Sequence, residues 1–246
     1  MDKKYKQDLK IAGSATAQGG SYNTVVISGH GTIDGDCDCI DLKVSGAATF
    51  NGAVKTDSGK VMGTATINGN FTSADFKIGG YLHVHGKMEA GEIVIEGGAV
   101  ISGGLSAESV EIKGGVKVKN DCNAETFVSK GAFAVNGLLS ADSVDIVLYG
   151  PCRAKEIGGE KIEVRKSNSY HIARIVKSIL LSLDLDEGLT ADVIEGDDVY
   201  LEDTKAKAVR GNNVIIGDGC EIGLVEYRSK FEQTGNAKVR ENKKVR

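Results

Sequence analysis

Glycine recurs every 17 residues, at Gly29, Gly46, Gly63, Gly80, Gly97, Gly114 and Gly131, with no insertion or deletion. A second series, Gly35, Gly52, Gly69, Gly86, Gly103 and Gly137, keeps the same step, with Asn120 in the one remaining slot. A unit this short cannot bury a core alone, so each copy must stack on its neighbours. Such a chain is constrained to a solenoid.

Within the repeat, apolar residues alternate with polar ones, the period of a strand whose side chains point to opposite faces in turn. Val25, Leu42, Phe76, Ile93 and Val110 hold one inward slot, with Gly59 as the exception, and Ile27, Val44, Val61 and Ile78 hold the slot two residues on. Glycine is expected to supply the backbone angles of tight corners, several of them in an apolar-Asn/Asp-Gly form such as Ile33-Asp34-Gly35 and Ile67-Asn68-Gly69. A single proline, Pro151, leaves nearly every N–H free for a ladder. The reading is all-β: a parallel β-helix of 17-residue coils over residues 8–166. The first coil is one residue short, because Leu9 and Ile11 stand 16 before Val25 and Ile27. The last is looser, with Ile162 18 after Val144.

The pattern then breaks once. Ile172, Ile175, Val176, Ile179, Leu180 and Leu183 fall at helical spacing on one face, which predicts an amphipathic helix or connector over 167–187. Its apolar face is expected to pack on the rod or to cover an open end of the core. Strand-like alternation returns over 188–228, where Ile194 and Val199 are echoed 15 residues later by Val209 and Val214, a short second β-helical segment that is either a separate small β-helix or an extension folded back by the helix. Residues 229–246, basic and with few apolar groups, are expected to be a disordered tail.

Composition narrows function mostly by exclusion. No run of about 20 apolar residues reads as a membrane-spanning helix, and the N-terminal stretch lacks the apolar core of a signal peptide. Cys37, Cys122 and Cys152, three of five cysteines, occupy apolar slots and suit a reducing compartment, so the expected location is cytoplasmic. A formal net charge of −4 does not point to nucleic acid, although the basic tail could touch an anionic lipid or acidic surface. His83 and His85 share one face of a strand but lack a third ligand in neighbouring coils. Cys37-Asp38-Cys39 lacks zinc-knuckle spacing, and Asp34, Asp36, Asp38 and Asp41 read as solvated corner carboxylates. The expectation is a non-enzymatic protein without cofactor or metal. One hexapeptide-like stretch, Ile216–Gly223, is the sole feature shared with β-helix acyltransferases, and no histidine follows His171.

Segments such as Val61-Met-Gly-Thr-Ala-Thr-Ile-Asn-Gly69 and Phe127-Val-Ser-Lys-Gly-Ala-Phe-Ala-Val-Asn-Gly137 resemble the bactofilins, bacterial polymer-forming cytoskeletal proteins. The resemblance covers residues 8–166, and the two-part layout is similar to the longer Gram-positive branch. It implies a right-handed coil and self-assembly without nucleotide, into filaments or sheets that localise cell-envelope, shape or motility machinery at the inner face of the membrane. The apolar N-terminal peptide often found in membrane-binding members is missing, since residues 1–9 offer only Tyr5 and Leu9. The partners expected are the chain itself and envelope or motility proteins. A non-polymerising adaptor capped by the helix is the alternative.

Physics supports assembly independently, because a β-helix leaves unpaired N–H and C=O groups at its first and last coils. The N-terminal interface patch expected is Leu9, Ile11, Val25 and Ile27. The other end is expected at Ile162 and Val164, or at the last C-terminal coil.

Overall fold

In the computed structural model, which describes residues 7–167 and 188–246, the chain winds into one parallel β-solenoid of about 13 turns. At about 4.8 Å between strands, the stack is roughly 60 Å long. Nineteen strands form a single sheet wound on itself, and every neighbouring pair is parallel. The first three are β1 (Gln7–Ile11), β2 (Ser14–Ile27) and β3 (His30–Val44). Strands β4 (Ala47–Phe50) to β13 (Cys122–Ser129) then alternate four-residue and eight-residue lengths. The last six are β14 (Ala132–Leu148), β15 (Cys152–Lys166), β16 (Leu189–Leu201), β17 (Thr204–Ile216), β18 (Glu221–Gln233) and β19 (Lys238–Lys244).

The inward slots become columns. One begins at Ile11 and passes Ile27, Val44 and Val61. It continues without a gap through Ile146, Val164, Leu201 and Ile216 and ends at Gln233. Its single interior polar member is Ser129, fully buried and with no hydrogen bond for its hydroxyl among the described residues. The Gly59 exception has a packing reason. A Cβ there would lie 2.9 Å from Phe76 Cε2, so the ring of the next coil fills the space a side chain would have taken.

Most corner glycines are not needed for unusual backbone angles, which corrects the expectation above. Within the two series only Gly35 has a positive φ, at 101°. The others are fixed by stacking: a Cβ at Gly97 would sit 2.0 Å from the carbonyl oxygen of Gly80, and Gly46, Gly63, Gly80 and Gly114 repeat that contact at 2.0 Å. Side-chain ladders tie the other corner, where Asn51 donates to Asp34 at 2.5 Å and Asn68 donates to Asn51 at 3.0 Å.

Of the two readings of residues 188–228, the described strands follow the extension: β16 stacks directly on β15, with Ile162 against Val199 and Val164 against Leu201. Those partners are 37 positions apart, against 15 to 19 for stacked partners in the other strand pairs, so residues 168–187 are an insertion at one corner. The helix predicted over 167–187, with Ile172, Ile175, Val176, Ile179, Leu180 and Leu183, lies outside the described residues apart from Ser167. Gly188 closes the corner at φ 95°, with its carbonyl accepting from Cys152 N at 2.9 Å. The tail from residue 229, expected to be disordered, carries the end of β18 and all of β19, which pairs with β18 in 17-residue register.

Candidate functional site

The described residues leave the stack two unpaired edges, and they are chemically unlike. At the N-terminal edge, among those residues, β1 pairs only with β2, and Ser14–Gln18 of β2 pair only with β3. Leu9 and Ile11 stand over Val25 and Ile27; Leu9 is half-buried, and Ile11, Val25 and Ile27 are buried. Of the four residues expected as an interface patch, therefore, none offers a widely exposed apolar surface. The accessible edge is Ser14, Ala15 and Thr16, all exposed. No Asp, Glu, Lys or Arg occurs from Ile11 to Gly29. An unpaired, uncharged strand edge is a template for pairing with another chain.

Ile162 and Val164 are not at an end at all. Coil β16 covers them, and both are buried in the continuous core. Their place at the limit of the 17-residue register resembled a terminus only because the insertion hides the next coil from a local reading.

The C-terminal edge is built for water. Its last coil puts Gln233 in the column of Ile216 and Asn242 in the column of Val225. Gln233 Nε2 donates to the carbonyl of Ala237 at 2.7 Å, which ties the terminal turn to itself. Eight of the last 17 residues are charged. Lys238, Arg240, Lys243, Lys244 and Arg246 face one acid, Glu241, for a net +4 over residues 237–246, and all are exposed. This ordered basic coil was missed in the sequence, although Val214 to Phe231 and Ile222 to Val239 resume the step of 17.

The other candidates resolve into structure. His83 and His85 face outward with ring centroids 4.0 Å apart, and His83 Nε2 lies 3.3 Å from Ser102 Oγ. Partial burial, then the neighbouring His85, holds the His83 imidazole below its ordinary pKa, so the neutral form is favoured. Cys37 and Cys39 point side by side into the core, and the Cys39 sulfur together with burial pushes the Cys37 thiol up. Asp36 accepts from Ala53 N at 2.8 Å and Asp34 from Asn51, so these carboxylates serve corners. A shallow groove of about 460 Å³ runs beside Gly159, Gly196 and Gly211, flanked by Leu138, Glu195 and Arg228. Among the described residues no three His, Cys, Asp or Glu side chains are placed to hold a metal ion. No helix there is long and apolar enough to cross a membrane.

Two curated proteins of Bacillus subtilis (strain 168) are similar to this chain. It is 57% identical to the uncharacterized protein YhbE over 240 residues, 97% of this chain and 98% of YhbE. It is 39% identical to the uncharacterized protein YhbF over 110 residues, 44% of this chain and 42% of YhbF, so that match spans less than half of YhbF. No family model and no solved structure matches.

Proposed function

We propose, for a chain that belongs to the family of the Bacillus subtilis protein YhbE, a structural scaffold assembled from rigid rods without nucleotide. The observation that carries the reading is the first coil: one side of its backbone is unpaired among the described residues, and no charge guards it from Ile11 to Gly29. Pairing that edge with a second copy repeats the contact that builds every coil of the rod. The bactofilin resemblance of residues 8–166 supports the same class of protein, one that forms filaments or sheets holding cell-envelope, shape or motility machinery near the membrane.

A second reading has its own observation. Gln233 and Asn242 end two core columns with polar groups, which favours a C-terminal stop and a discrete oligomer acting as an adaptor. Negative-stain electron microscopy of the purified chain without nucleotide separates the two. Filaments or sheets are the scaffold outcome, and particles of one or two rod lengths at every concentration are the adaptor outcome. Ala15→Lys places a charge on the exposed first edge, whereas Ile11→Asp would disturb the core as well. The Ala15→Lys protein is expected to lose assembly with its β-type circular dichroism unchanged. Unchanged assembly would remove the first coil from the contact.

A further inference from the structure

We infer that the C-terminal coil is a docking surface for an anionic lipid bilayer, which the rod meets end-on. The inference goes beyond the scaffold reading, and it rests on how charge alternates along the stack.

On either side of the inserted segment, charge alternates from coil to coil. Residues 188–203 contain six acids and no Lys or Arg, a net −6, between segments 147–166 and 204–219 at +2 each. Cross-coil pairs carry the offset: Lys207 with Asp192 at 2.7 Å, Lys166 with Asp203 at 3.0 Å and Arg210 with Glu195 at 3.6 Å. The last coil, at +4, pairs with no further strand among the described residues. Lys238 reaches back to Glu221 at 3.3 Å, while Arg240, Lys243, Lys244 and Arg246 have no ion pair among the described residues.

A second copy does not supply the missing charge. Its first coil is neutral from Ile11 to Gly29, its residues 1–6 add a net +2, and its own last coil is +4. Head-to-tail contact would leave the cations unpaired, and tail-to-tail contact would set them against each other. Three of the six acids of the acidic coil are already ion-paired within the chain, and that coil lies inside the stack.

An anionic plane fits where a long polyanion does not. Lys238, Arg240, Lys243 and Lys244 sit on one strand in the last rung, with Arg246 two residues beyond it, and long aliphatic stems let their heads reach a common surface. A nucleic acid running along the rod would meet the −6 coil three rungs behind. A membrane surface touches only the terminal rung, and clusters of four to eight Lys or Arg bind anionic headgroups electrostatically.

The test is co-sedimentation of the full chain with vesicles of phosphatidylcholine containing about 30 mol% phosphatidylglycerol. Binding is expected at about 50 mM salt, to weaken at about 300 mM, and to be absent from pure phosphatidylcholine. The triple variant Arg240→Glu, Lys243→Glu, Lys244→Glu is expected to lose ~100-fold or more, at roughly fivefold per cation. The milder Lys243→Gln, Lys244→Gln pair is expected to lose ~25-fold, with thermal unfolding followed by circular dichroism confirming the fold of both. The variant Lys3→Glu, Lys4→Glu, Lys6→Glu is expected to keep most of the binding. Equal binding to neutral vesicles, binding lost in the N-terminal variant instead, or tighter binding to a short DNA duplex than to the vesicles would each overturn the inference. Microscopy of the same proteins without lipid reads assembly separately, so either proposal can fail alone.

Discussion

Gly97 and Gly13 hold the same corner of the coil, yet they face opposite constraints. A Cβ on Gly97 would collide with the Gly80 carbonyl, whereas one on Gly13 would have nothing within 4 Å among the described residues. Gly97→Ala is therefore expected to cost about 2–3 kcal/mol in urea unfolding, and Gly13→Ala to stay within about 0.5 kcal/mol. Equal losses at the two sites would make backbone entropy, rather than stacking, the cause. All five cysteines are free and buried, and burial pushes the Cys122 and Cys152 thiols up to about 12. Ellman's reagent at pH 8 is expected to find almost none in the folded chain and five after denaturation. The sign for stability follows: the unfolded chain ionises its thiols first, so stability falls as pH rises from about 8.5 towards 12.

At the scale of elements, the inserted segment is the decisive case. Lys166 stacks on Leu148 and Leu189 on Cys152, so the gap from Lys166 to Leu189 matches one that residues 149–151 cross with three residues. Replacing residues 168–187 by a single glycine, between Ser167 and Gly188, restores a three-residue link. The shortened chain is expected to keep its β-type circular dichroism and to melt within a few degrees of the full chain. Loss of cooperative melting would show that the insertion supports the rod. That continuity was not legible in the sequence, because the partners of Ile162 and Val164 lie beyond the insertion. Most of the rest was legible: Val25, Leu42, Ile93 and their columns are core where alternation placed them. The tail was misread for a physical reason. Lys238–Lys244 has the composition of a solvated segment, and its order comes from a ladder to β18 rather than from side chains of its own. The end patch was half-read, since Leu9 and Ile11 do begin the stack but the accessible edge is Ser14 to Thr16.

For the whole molecule, the ends differ more than the middle varies. One edge is neutral and open to a copy of itself, and the other is cationic, with Gln233 and Asn242 ending two of its core columns and Phe231 and Val239 ending two others. Rods that stand on a bilayer by the basic coil and pair by the first coil alone would stop at two rods, so filaments or sheets on a membrane would need lateral contacts between rods. The parallel ladder also settles how the molecule carries load. All its interstrand hydrogen bonds run along the rod's long axis, three short walls of them per coil, so coils under tension are links in series. Adding coils lengthens such a rod without raising the force that parts it. The weakest junction gives way first, and the protein would act in a stretched assembly as a fuse with a fixed threshold.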